Sequence, residues 1–116
     1  MIHEDNAGIV DGFVLAWKFK FAGFGNEIPF GWLDLVHIHR LKMKEATDLC
    51  LYFADSCKKL GWVGIQSPYI PYFPAKPFKK AKFIFFPKTL TVDVFVHENT
   101  QCHVPDKIKS FYFDWR

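Results

Sequence analysis

Residues 43–60 read MKEATDLCLYFADSCKKL. Met43, Ala46, Cys50, Phe53, Cys57 and Leu60 fall three and four apart, a spacing that lines them up down one side of an α-helix. Lys44, Glu45, Asp48, Asp55, Lys58 and Lys59 take the opposite side, so the segment is amphipathic and packs on something. Lys58 and Lys59 suit the negative end of the helix dipole, and Gly61 stands where a left-handed residue ends a helix. The start is weaker. No Ser, Thr, Asp or Asn precedes Met43 as an N-cap, and Lys42 and Lys44 oppose the dipole. Leu49, Leu51 and Tyr52 widen the apolar surface, which predicts cover on more than one side.

Upstream of this helix the periodicity changes to two. From Gly8 to Phe21, Phe13, Leu15, Trp17, Phe19 and Phe21 alternate with Val14, Ala16, Lys18 and Lys20, the pattern of a long strand after a short polar lead. Residues 22–29 supply turn residues for a wide loop. Trp32 to Leu41 reads as a second, antiparallel strand. One face carries Leu33, Leu35, His37, His39 and Leu41, and the other carries Trp32, Asp34, Val36, Ile38 and Arg40, so both faces are mixed.

Downstream, Pro68, Pro71, Pro74 and Pro77 recur every three residues within 61–77. Proline at this spacing disfavours helix and central strand and predicts an extended crossing at the surface or a sheet edge. Lys82–Phe86 and Leu90–Val96 read as a hairpin turning at Pro87-Lys88, and Ile108–Trp115 as a last strand. The fold class expected is α+β: a mostly antiparallel sheet of about five strands with one amphipathic helix on a face, in the order β-β-α-β-β-β. At 116 residues, half of them apolar and 19% aromatic, the chain has material for one core, so 1–116 reads as a single domain.

Three cysteines do not make a disulfide framework. Cys50 and Cys57 lie two helical turns apart, roughly 10 Å, beyond disulfide reach. A reducing, cytoplasmic setting is the simpler expectation. The opening Met1–Asn6 lacks the features of a signal peptide, and no apolar run approaches the ~20 residues of a membrane span, so no membrane partner is expected.

Candidate chemistry is sparse. His37 and His39 share one strand face roughly 7 Å apart at Cβ. With His97, Cys102 or His103 they could complete a zinc site, and with Asp34 and Asp93 a hydrolytic one. Ordinary strand-face histidines are the more economical account, because the spacing fixes no third ligand. Cys102 beside His103 lacks any sign of an activating environment, and Cys50 and Cys57 read as small core residues. The glycines near Gly23 lack the helix and Lys-Ser/Thr of a phosphate loop. No cofactor, metal or catalytic group is assigned.

The charge distribution is more informative than the net +3. No acidic residue lies between Asp55 and Asp93, while seven lysines fall in 58–88 among many aromatics. The expected working surface is Trp62, Tyr69, Tyr72, Phe73, Lys76, Lys79, Lys80, Lys82 and Lys88. Aromatics on a proline-stiffened surface offer contact area at low entropic cost, and the lysines favour an acidic partner. The expectation is a small non-enzymatic binding protein, of inhibitor or immunity type, that covers a macromolecular partner, protein rather than nucleic acid. Lysines among exposed rings also suit single-stranded nucleic acid, so binding through 58–88 is the alternative; the absence of arginine there weighs against it. A metal-dependent or His-based hydrolase around His37 and His39 is the second alternative. Either a monomer or a homodimer fits.

Overall fold

The computed structural model describes residues 1–21, 25–67, 74–84 and 101. Its elements are β1 (Ile2–Glu4), β2 (Val10–Phe21), β3 (Ile28–His37), α1 (Met43–Lys59), β4 (Gly64–Gln66) and α2 (Ala75–Lys80). The four strands form one sheet in sequence order. β1–β2 and β2–β3 are antiparallel, whereas β4 runs parallel to β3. The fold is therefore α+β with one main helix, but the sheet is mixed, because α1 is the crossover that returns the chain to β3 in the same direction. The expected strands Leu90–Val96 and Ile108–Trp115 lie outside the described residues.

β1 occupies what reads as a polar lead. Three residues are too few to show alternation; the usable signal is the turn that follows. Asp5 accepts hydrogen bonds from the backbone N–H of Ala7 and Ile9 at 2.8 and 2.9 Å, and Gly8 takes φ 75°. That is the chemistry of an Asx turn closing a hairpin, so the long strand starts at Val10 rather than Gly8. His3 pairs with Gly12 and Glu4 with Val10, which leaves Asp11 as a bulged residue. The His3 Nδ1–H donates to Asp11 Oδ1 at 2.5 Å.

That bond is the main reason the His3 pKa lies above its ordinary 6.5; desolvation opposes it, and Asp11, Glu45 and Asp5 add favourable charge. A raised folded-state pKa contributes stability that is complete below the unfolded value and is lost as pH climbs through the folded value. β1 should therefore hold to β2 less firmly as pH rises from 6.5 upward. Hydrogen exchange at the amides of residues 2–4, measured from pH 6 to 9 with correction for intrinsic rates, is expected to show this loss in the native chain. The loss should be absent in Asp11→Asn.

A second bulge explains the mixed faces of the next strand. Leu15 pairs with Leu35 but Ala16 pairs with Leu33, so Asp34 is the extra residue and the alternation resets around it. Gly31 and Leu33 are buried before the bulge, and Val36 and Ile38 after it. The strand also runs Ile28–His37 rather than Trp32–Leu41. Pro29 is tolerated inside it because its carbonyl, which accepts from Val63 N at 2.9 Å, faces β4. Its missing N–H is on that same side, and the β2 ladder is not interrupted.

The sheet face carrying Val14, Ala16, Leu33 and Val36 receives α1 through Ala46, Leu49, Cys50, Phe53 and Cys57. The expected stripe is right in its centre and too long at its ends, since Met43 and Leu60 are exposed. Of the residues that widen it, Leu49 is buried while Leu51 and Tyr52 are exposed, so cover is narrower than expected. Glu45 Oε2 reaches back to the Lys42 backbone N–H at 2.8 Å, and this satisfies one N-terminal donor without a capping side chain at Lys42. At the other end Gly61 has φ 76°, Gly61 N bonds Lys58 O at 2.9 Å and Trp62 N bonds Cys57 O at 3.1 Å. This is the Schellman closure that the sequence predicts at Gly61.

The proline-rich crossing is less uniform than expected, for it contains β4 and the start of α2. α2 accommodates Pro77 in its first turn, where a backbone N–H has no helical partner to lose. Lys82 N bonds Lys79 O at 3.1 Å and Phe83 N bonds Phe78 O at 3.0 Å, with Lys82 at φ 67°. This second Schellman closure breaks the extended run expected from Lys82, and residues 82–84 form no strand. Among the described residues no helix is long and apolar enough to cross a membrane.

Candidate partner-binding surface

α2 sorts its side chains by chemistry. Pro77 and Phe78 are buried, and Phe78 meets Phe83 edge-on at 5.2 Å between ring centres. Lys76, Lys79, Lys80 and Lys82 are all exposed. Three lysines elsewhere have carboxylate partners: Lys44 pairs with Asp48 at 2.9 Å, Lys59 with Asp55 at 2.7 Å, and Lys20 with Glu27. Among the described residues Lys76, Lys80 and Lys82 have no carboxylate within ion-pair reach. The acid-free run of sequence thus becomes a cationic surface on a short helix.

Lys82 holds a conformation that costs an ordinary residue about 1–2 kcal/mol relative to right-handed backbone and costs glycine nothing. The position after a helix is one where glycine is the usual occupant. A lysine there accepts strain while presenting a fourth cation just after the helix.

The described aromatic residues of this region pack on the core. Trp62 lies against Gly31 and is half-buried, and both it and Phe83 pack on the core. Tyr69, Tyr72, Phe73 and Lys88, also expected at the surface, lie outside the described residues.

One feature of this region needs three-dimensional packing to exist. Between the C-terminal part of α1 and β4 lies a cleft of about 370 Å³, with Ala54 and Cys57 on one wall and Trp62 and Ile65 on the other. Lys58, Val63 and Gly64 also line it. Sequence reading marks Lys58 and Trp62 but has no means of bringing Ala54 and Ile65 to them.

The histidines are arranged differently from the expectation. β3 ends at His37, and His39 stands in the turn beyond it rather than on the same strand face. Their ring centres are still 6.0 Å apart, and His37 stacks on Phe13 at 5.6 Å. Among the described residues no three His, Cys, Asp or Glu side chains gather as metal ligands. His97, Cys102, His103 and Asp93 lie outside those residues. Burial pushes the Cys50 thiol up to about 12 and also raises that of Cys57, so both are protonated at neutral pH and behave as packing groups.

Comparison with protein-family models, curated proteins and solved structures found no match.

Proposed function

We propose that this chain is a small binding protein, of inhibitor or immunity type, that covers an acidic surface of a protein partner in the cytoplasm. The observation that carries the reading is the sorting along α2 and its closure, which turns Pro77 and Phe78 into the core and leaves Lys76, Lys79 and Lys80 of the helix, with Lys82 just after it, exposed. Long-range attraction from such a surface speeds encounter with an acidic partner more than it adds to affinity. The inward packing of Trp62, Phe78 and Phe83 favours protein over nucleic acid, because a single-strand binder needs exposed rings on which bases stack. The reduced thiols Cys50 and Cys57 suit the cytoplasm.

The test is affinity capture from the native cell with nuclease present, followed by kinetics on the recovered partner. An acidic protein that survives nuclease is expected. Lys76→Glu with Lys80→Glu should slow its association about tenfold or more at low salt, with a smaller effect at high salt. Lys82→Gly is the sharper variant, since it should raise stability by about 1 kcal/mol while weakening the complex. A capture that nuclease abolishes, or a partner indifferent to all three changes, would overturn the reading.

A further inference from the structure

We propose that the cleft between α1 and β4 is an anchor pocket that receives one leucine or phenylalanine side chain from an acidic segment of the protein partner. The inference rests on the binding reading above and adds to it where the partner is held and what it must present.

The cleft has the chemistry of an anchor site rather than of a metabolite site. Its walls are Ala54, Cys57, Trp62 and Ile65, with Lys58 as the only charged lining residue among the described residues. Small-molecule sites usually converge several polar groups on the ligand to fix its orientation. Here the backbone groups nearest the helix end are already engaged: Cys57 O accepts from Trp62 N, and Lys58 O from Gly61 N. The lining residue Val63 is 69% exposed, and Leu60, two residues before Trp62, is 66% exposed. An apolar pocket with an apolar rim and a cation at its edge is the form in which a buried side chain anchors a protein interface.

Charge selects the occupant. Lys58 has no ion pair among the described residues, its neighbour Lys59 being the one joined to Asp55. No acid follows in the sequence until Asp93. A partner segment with carboxylates beside its apolar anchor is therefore favoured. A second copy of this chain is disfavoured, because a two-fold contact here would set Lys58 and Lys59 against their own counterparts.

The experiment is an amide NMR titration of the full chain with two blocked hexapeptides, Glu-Glu-Leu-Phe-Glu-Glu and Lys-Lys-Leu-Phe-Lys-Lys. The acidic peptide is expected to shift the amides of residues 54–65 with a dissociation constant on the order of 1 mM or tighter, worth about 4 kcal/mol. The basic peptide should leave them in place. Ala54→Leu, which fills the cleft from the helix side, and Val63→Glu, which places an acid at an exposed rim position, should each weaken the acidic peptide at least tenfold. Equal shifts from both peptides, no shift at several millimolar, or indifference to both variants would overturn the pocket. Shifts confined to residues 76–82 would overturn it too while leaving the lysine surface of α2 intact, whereas failure of the wider reading is seen in the nuclease-treated capture.

Discussion

Replacing Phe78 by alanine is expected to lower the unfolding free energy by about 3–5 kcal/mol, the range for removing a buried aromatic ring. Phe78 is only 3% exposed and belongs to the main hydrophobic cluster, with Phe83 edge-on against it. α2 has little else to hold it. Six residues are far too few for a helix to persist alone, its N-cap is Pro74 without a capping side chain, and its sequence contains a proline. The helix exists because Pro77 and Phe78 are inserted into the core beside α1. Losing the ring should therefore cost more than the cavity: the lysines would no longer be held on one surface, and partner binding should fall with stability. Lys80→Ala is the contrasting change, expected to move stability by no more than about 0.5 kcal/mol because the side chain is exposed. Urea midpoints for both variants, with limited tryptic cleavage after Lys79 and Lys80, measure the difference. A loss below about 1 kcal/mol for Phe78→Ala would mean that α2 is an accessory to the core rather than part of it.

The contrast between α1 and α2 shows which parts of this fold are legible in sequence. α1 carries its own instructions: a stripe of period 3.6, cations in the last turn and a glycine that closes it. β2 likewise declares itself by its alternation from Phe13 to Phe21, although the side it turns to the core is that of Val14 and Ala16, and Leu15 is exposed. β3 conceals its pattern, because the bulge at Asp34 moves the buried set from Leu33 to Val36 and makes any single-register reading look mixed. β1 and β4 are three residues each, shorter than the period needed to recognise them, and exist because a neighbour supplies the ladder. α2 is hidden by its proline, which reads as a breaker until it is seen to occupy the first turn. The lysines were visible as an acid-free run. Their shared outward direction was not, because it depends on Phe78 being drawn inward. The cleft was the least legible feature, since its walls come from a helix and a strand that only the parallel return of the chain brings together.

Gly31→Ala should show how tightly that return is fixed. In most strands the change is neutral or helpful, because alanine loses less backbone entropy on folding and adds a side chain to pack. Here the expected result is a loss of about 1–3 kcal/mol, the cost of overpacking a filled core. A methyl group at position 31 would enter the six-membered ring of Trp62, and the distance available is far below any ordinary carbon contact. The ring can turn about its own side-chain bonds, but its backbone cannot shift to help. The Trp62 N–H is bound to Cys57 O in the helix closure, and the next residue, Val63, is bound to Pro29 O on β3. A retreat that moves the backbone strains one of these links or lifts β4, whose contact with β3 spans only Phe30–Gly64 to Trp32–Gln66, and one that turns the ring gives up its packing on the core. A double-mutant cycle with Trp62→Ala isolates the collision: Gly31→Ala should cost much less once the ring is gone, giving a coupling of about 1 kcal/mol or more. Because Trp62 is also a wall of the cleft, the same substitution should weaken the acidic hexapeptide while leaving the lysines of α2 in place. Full additivity in the cycle would mean that the ring moves freely, and an anchor pocket with a wall that moves freely would have no fixed shape to select its occupant.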